Sequence, residues 1–149
     1  MKIFTPDVRR ERVTDITAED LRALGVKGVV IDLDNTLGGY DDPLPPSEVV
    51  AWAGSIVMAG FQLRIVSNNS HKKRVAAYSR ALGVPGVRWA LKPLTFKLRR
   101  AARAMGLKRR EVCNVGDKSW NDVFGARLAG MKSILVTSVE KLKALEQKE

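Results

Sequence analysis

The sequence predicts an α/β fold: a mostly parallel, five-stranded sheet with helices on both faces. Two observations carry this. Short apolar runs recur along the chain, and amphipathic stretches with helical spacing separate them. The first run, Val26 to Leu33, holds the β-branched Val29-Val30-Ile31 of a buried strand. Pro45-Pro46 then precede a helix with apolar residues at Val49, Trp52, Ala53, Ile56 and Val57, stopped by Gly60. Gln62 to Ser67 is the second strand. A helix marked by Val75, Tyr78 and Leu82 and closed by Gly83 follows it. Val87 to Leu91 is the third strand, followed by a helix on Leu94, Leu98, Ala101 and Met105 that ends at Gly106. Val112 to Val115 is the fourth, and its helix carries Trp120, Val123, Phe124 and Leu128 before Gly130. Ser133 to Thr137 is the fifth, and Val139, Leu142 and Leu145 mark the last helix. At the other end, Thr17-Ala18-Glu19-Asp20 reads as a capping box opening a short helix.

At 149 residues the chain is long enough for one domain. The expected division is an N-terminal extension over 1–25, a catalytic core over 26–137 and a C-terminal helix over 138–149. Cys113 is the one cysteine, so neither a disulfide framework nor a cysteine metal site forms within the chain. No apolar run reaches the roughly 20 residues of a membrane span, and Met1 to Asp7 lack the apolar region of a signal peptide. A reducing cytoplasm is therefore the expected compartment. The net charge of +10 attracts anions: nucleic acid, acidic lipid headgroups or phosphorylated compounds.

In open parallel sheets ligands bind beyond the carboxyl ends of the strands. The first strand ends in Asp32-Leu33-Asp34-Asn35-Thr36, two carboxylates two residues apart and so on one face. Magnesium is the natural partner for such hard oxygens. The second strand ends in Ser67-Asn68-Asn69-Ser70, a hydroxyl and backbone N–H groups leading into a helix N-terminus, which suits an anion as well as a plain cap. Lys92 follows the third strand as a point charge for phosphate. The fourth ends in Gly116-Asp117-Lys118-Ser119-Trp120-Asn121-Asp122, with a carboxylate at the strand tip and another in the next helical turn. These groups converge on one end of one sheet. His71 reads as a surface side chain, Cys113 as a buried small hydrophobe, and Trp52 and Trp120 as core-facing residues.

This order resembles the haloacid dehalogenase (HAD) superfamily of phosphotransferases. Asp32-x-Asp34-x-Thr36 matches its first motif, Ser67 its second, Lys92 its third, and Gly116-Asp117 with Asp122 its fourth. Ile31 to Leu37 and Ser67-Asn68-Asn69 also resemble the subfamily IIIA phosphatases called YqeG-like, which are similar to phosphatidylglycerophosphate phosphatases. Gly38-Gly39-Tyr40 replaces the bulkier apolar segment expected after the first motif, and Asn121 stands where threonine is expected. The resemblance implies a Rossmann-like three-layer sandwich and an Mg²⁺-dependent phosphatase. In it Asp32 is the nucleophile and Asp34 the general acid and base. Thr36 steadies the loop. Ser67, Asn68 and Lys92 bind the phosphoryl group. Mg²⁺ is held by Asp32, the Asp34 carbonyl, Asp117 and Asp122.

Only 24 residues run from Leu37 to Gly60, and one helix and one short strand fill Ser70 to Leu91, so no cap domain fits. An open site suits a substrate presented by something large, or a small metabolite if a second copy covers it. Eight basic residues and no acidic one lie from Lys92 to Arg110, and Lys72, Lys73 and Arg74 open the helix after Ser67. The expectation is a basic rim meeting an anionic membrane, with phosphatidylglycerophosphate as substrate. The alternatives are a soluble or protein-borne phosphomonoester and, ranked lower, a non-catalytic nucleic-acid-binding protein. A response-regulator receiver ranks last, because no aspartate follows the third strand.

Overall fold

The structure is a computed structural model, and it describes residues 4–67, 71–87 and 95–148. Its sheet has six parallel strands in the order β1-β6-β5-β2-β3-β4. In chain order the elements are β1 (Val8–Arg10), α1 (Ala18–Ala23), β2 (Gly28–Ile31), α2 (Ser47–Met58), β3 (Gln62–Val66), α3 (Lys72–Leu82) and β4 (Gly86–Val87). Then come α4 (Phe96–Ala104), β5 (Val112–Gly116), α5 (Phe124–Ala129), β6 (Lys132–Val136) and α6 (Val139–Gln147).

The sixth strand is β1, which pairs Val8 with Ile134 and Arg10 with Val136 at the sheet edge. Its Val-Arg-Arg sequence carries no apolar run, so only its tertiary partner makes it a strand. Residues 1–25 thus do more than extend the core: Val13, Ile16 and Leu21 are buried in it, and Ile16 O accepts from the indole Nε1 of Trp52 at 2.8 Å. Of the expected third strand, Val87 to Leu91, the described residues hold Val87, the last residue of β4, and Arg88 to Leu91 lie outside them.

Alternation along the strands divides the interior in two. Val29, Ile31, Cys113 and Val115 face α2 and α3, packing with Trp52, Ile56, Val75 and Tyr78. Val30, Val66 and Val112 face α4 and α5, packing with Leu98, Ala101, Met105 and Ala126. From β2 the chain moves outward through β3 and β4. It then crosses back under α4 to β5 on the other side of β2. The crevice between the carboxyl ends of β2 and β5 is therefore the point where strand order reverses, the usual ligand position in such sheets.

Leu94 lies outside the described residues, and the helical stripes otherwise hold with exceptions at their margins. Val57, Leu128 and Leu145 are exposed where the spacing puts them on core faces. Trp120 is corrected outright: it is 56% exposed. Residues Ser119–Val123 form a π-helical turn instead of the start of an α-helix. The extra residue per turn rotates Trp120 outward, where it stacks on Phe4 and Phe124 with centroids 5.8 and 5.0 Å away, while Asp122 and Val123 turn inward. Cys113 is fully buried, as expected, and burial pushes its thiol far up.

Candidate active site

The backbone of Asp32 continues the sheet by one residue, its N–H donating to Val115 O at 2.9 Å. The chain then leaves in a tight turn. Asn35 N donates to Gly38 O at 2.7 Å, and Leu37 N to Leu33 O at 2.9 Å. Leu33 and Leu37 anchor the turn in the core. Asn35 takes a left-handed conformation with φ 64°, which asparagine tolerates better than most residues. Its carbonyl and its Oδ1 accept the N–H groups of Val139 and Glu140, both at 2.9 Å, so the turn is fixed to the start of α6.

Three carboxylates meet here. One oxygen each from Asp32, Asp117 and Asp122 lies within 4.8 Å of the others. Asp32 is 9% exposed and Asp122 1% exposed. Asp117 stands at the tip of β5, and Thr36 Oγ1 donates to its Oδ1 across 3.4 Å. Asp122 is aimed by the π-helical turn. Its Oδ2 accepts from Lys118 N at 3.2 Å, and its backbone carbonyl accepts from the buried Asn114 Nδ2 at 2.9 Å. Gly116 makes the close approach possible, because a Cβ there would overlap the Asp122 carboxylate. Ser67, 1% exposed, follows β3 at the same sheet end.

Burial, and then the charge of Asp122, push the Asp117 carboxyl up from 3.8 to about 6. Like charges gathered in a partly buried crevice are costly unless a cation shares them. The donor set, all hard oxygens, fits a divalent cation such as Mg²⁺. Without cation the folded-state pKa of Asp117 lies above its unfolded value. The neutral carboxyl is therefore fully compatible with folding below about pH 4, and its contribution to stability is lost as pH rises through 6. In EDTA, the Tm of the wild type relative to Asp117→Asn is expected to fall between pH 4 and pH 7. Added Mg²⁺ should recover that loss at pH 7. A pH-independent difference in melting scans would count against the reading.

The Asp34 side chain has a partner that the sequence analysis does not name. Its Oδ1 accepts from Arg74 Nε at 2.8 Å, and its carboxylate is not one of the three. Arg74 is nearly buried, near the start of α3. Its other nitrogens donate to Gly39 O at 2.8 Å and to Asp42 O, and its guanidinium lies 4.9 Å from the Tyr78 ring centroid. One side chain thus clamps Asp34 to the following loop. Tyr78 hydroxyl also donates to Asp42 O, at 2.9 Å. The unexpected Gly38 has its reason here, since a Cβ would overlap that hydroxyl. Sequence reasoning put Arg74 among helix-opening basic residues. The signal that could have separated it is Tyr78 four positions on, one helical turn away.

Lys118 is a second cation missed. Burial disfavours its charge, but Tyr40 and Asp117 outweigh that and raise its pKa. Lys92 and Asn68, expected to bind phosphate, lie outside the described residues, as does Trp89. The expected basic rim is corrected. Most of the charge from Arg99 to Arg110 lines a cleft at the amino edge of the sheet, because α4 runs from the carboxyl edge down to the start of β5.

Loss of Arg74 should be felt in turnover more than in binding. Arg74→Ala is expected to lower kcat about 10- to 100-fold with a smaller change in KM, since it frees both Asp34 and the loop. Arg74→Lys should recover little, because an ammonium cannot make the three forked contacts. Steady-state kinetics of the two variants decide it, and an unchanged kcat in Arg74→Ala would show the clamp to be structural only.

The chain is similar to several known proteins. A HAD-hydrolase-like family model matches residues 90–149. The chain is 37% identical over 138 residues to "Probable phosphatase YqeG" of Bacillus subtilis, covering 93% of this chain and 80% of that one. Among solved structures, an uncharacterised protein of Listeria monocytogenes superposes with TM-score 0.63 at 14% identity, over 83% of this chain and all of that one. The cobalt-bound deoxy-D-mannose-octulosonate 8-phosphate phosphatase of Haemophilus influenzae gives TM-score 0.61 at 15% identity, over 81% and 75%. With the acidic triad at the strand-order reversal and this degree of identity to YqeG, the chain belongs to the HAD-like hydrolase family.

Proposed function

We propose that the protein hydrolyses phosphomonoesters with Mg²⁺ through an aspartyl-phosphate on Asp32. The observation that carries this is the meeting of Asp32, Asp117 and Asp122 at the carboxyl edge. A carboxylate oxygen of Asp32 attacks phosphorus and the ester P–O bond breaks. Asp34 gives its proton to the leaving oxygen. It then takes a proton from the water that attacks the same phosphorus, releasing inorganic phosphate and free Asp32. The ion pair with Arg74 is made by ionised Asp34, the form needed for the second half. Ser67, Thr36, Asn68 and Lys92 hold the phosphoryl group or its loop. The side chains of Asp32, Asp117 and Asp122 and the Asp34 carbonyl would hold the cation, which supplies positive charge beside the phosphoryl oxygens.

The substrate in this reading is phosphatidylglycerophosphate or a similar anionic headgroup, met at the inner membrane face by a peripheral protein. No helix among the described residues is long and apolar enough to cross a membrane. Two features support an interfacial substrate. Leu37 to Gly60 form a loop and α2, with no inserted domain over the site. That loop and the start of α4 also expose Tyr40, Leu44 and Phe96 on the catalytic side, apolar groups suited to a lipid interface.

Phosphate release from phosphatidylglycerophosphate vesicles and from soluble phosphomonoesters, each with Mg²⁺ or EDTA, tests both parts. Mg²⁺-dependent release from the vesicles is expected. Release from soluble compounds alone would keep the chemistry and discard the lipid. No release from any substrate would overturn the reading.

A further inference from the structure

A large cleft lies away from the carboxylates. It encloses about 760 Å³ between α4, α5 and the turn before β5. Arg99 and Arg103 stand on one wall, Arg127 on the other, and Lys108, Arg109 and Arg110 on the connecting turn. No carboxylate lines it. All six side chains are exposed, and no described carboxylate pairs with Arg99, Arg103, Arg109 or Arg110. Glu111, next to Arg110 in the chain, pairs with Lys27 at 3.2 Å.

Its place in the fold is fixed by the strands. Arg109–Glu111 lead directly into β5 and Gly130 nearly into β6, so the cleft borders the amino edge of the sheet. Asp32 and Asp117 follow the carboxyl ends of β2 and β5. The length of β5, five residues or about 16 Å, separates the two.

We propose that this cleft holds the sugar-phosphate backbone of double-helical nucleic acid, whichever phosphomonoester the carboxylates turn over. Three arguments favour that occupant. Arginine forks on facing walls grip a phosphate ridge from both sides, a shape that a flat bilayer does not present. An anionic membrane docked here would also turn the catalytic edge away from its lipid. No aromatic side chain lines the cleft, so it has no stacking platform for single-stranded bases. A duplex carries twice the charge per unit length of one strand and needs no stacking. With base edges out of reach, binding is independent of sequence.

Binding of the full chain to DNA and RNA duplexes, to a single strand of equal length and to phosphatidylglycerol vesicles tests this, by anisotropy and co-sedimentation. Both duplexes are expected to bind more tightly than the single strand. About four phosphate contacts give a log–log salt slope near −3.6, roughly a hundredfold weakening between 50 and 200 mM salt. The double variant Arg103→Glu with Arg109→Glu should lose at least about tenfold in affinity and flatten the slope by about 2, with its phosphatase activity and melting curve unchanged. The double variant Lys72→Glu with Lys73→Glu, exposed at the catalytic edge, should retain binding more nearly than the cleft variant. Preference for only one of the two duplexes would name the partner within the proposal. Absence of duplex binding would overturn it. So would equal loss in both variants, or vesicle binding that depends on Arg103 and Arg109 while duplexes are ignored.

Discussion

Asp32→Asn is expected to lower phosphate release by at least about a thousandfold while leaving the protein as stable as the wild type or more so. The two halves of that expectation come from different parts of the structure. Asparagine has the shape of aspartate, and the backbone bond from residue 32 to Val115 O does not involve the side chain. That backbone bond therefore survives the substitution. Asp32 shares its crevice with Asp117 and Asp122, so the neutral amide removes one of three mutually repelling charges. Its nitrogen lone pair is delocalised and does not attack phosphorus. A melting scan beside an Mg²⁺-saturated phosphate assay reads both at once. Lost activity with a lowered Tm would point to a structural role for Asp32, and retained activity would move the nucleophile elsewhere. Acid quenching of the wild type during turnover gives a third readout: phosphate should be found on the peptide containing Asp32, and not in the variant.

The legible parts of this chain are those where local sequence and tertiary role agree. β2, β3, β5 and β6 are runs of apolar residues bounded by polar or glycine signals, and the first three each place a chemically marked residue just past their ends. Asp32, Ser67 and Asp117 follow from that alternation without coordinates. What stayed hidden depends on partners distant in sequence. β1 is a strand because β6 offers it an edge. The outward turn of Trp120 comes from one extra residue in a helical turn, which leaves no mark on apolar periodicity. Basic residues after Lys92 look alike along the chain, and only the descent of α4 sends most of them to the opposite edge. Arg74 differs from Lys72 and Lys73 by what the loop over Gly39 and Asp42 brings to it.

That loop also bears on the two proton transfers proposed for Asp34. In the structure Asp34 is bonded to Arg74, which in turn holds two carbonyls of the Gly39–Asp42 loop. Asp42 is itself tied down: its carboxylate accepts from Gly39 N–H at 2.7 Å and from Lys143 of α6 at 3.2 Å, which together hold its pKa below the usual range despite some burial. To donate a proton Asp34 must first carry one and so start outside its ion pair, whereas to take one from water it starts ionised, in the paired form. The clamp thus sets Asp34 in place for the hydrolytic half of the cycle, and any group that enters beside Tyr40 must work against the same set of bonds.

Gly116→Ala should impair the enzyme about 10- to 100-fold without touching any group that reacts. Gly116 closes β5 and is buried, and its φ is not in the left-handed region, so backbone strain is not the issue. The issue is space. A Cβ at this position would overlap all three carboxylate atoms of Asp122. Asp122 cannot simply move off. Its N–H donates to Lys118 O at 2.9 Å, its Oδ2 accepts from Lys118 N, and its carbonyl accepts from Asn114. The alanine must either push the carboxylate out of the acidic group or open the π-helical turn. Overpacking of this kind costs about 1–3 kcal/mol. In the first case the variant binds Mg²⁺ more weakly, and excess Mg²⁺ recovers part of the lost turnover. In the second, Asn114 loses its partner and stability falls at every Mg²⁺ concentration. Calorimetric Mg²⁺ titration alongside Tm separates the two. The close packing at Asp122 makes the first the expected result. A variant with wild-type Mg²⁺ affinity and wild-type turnover would mean that Asp122 has no part in holding the cation. Combining Gly116→Ala with Asp122→Ala removes the overlap, so it should recover stability and leave activity as low as in Asp122→Ala alone.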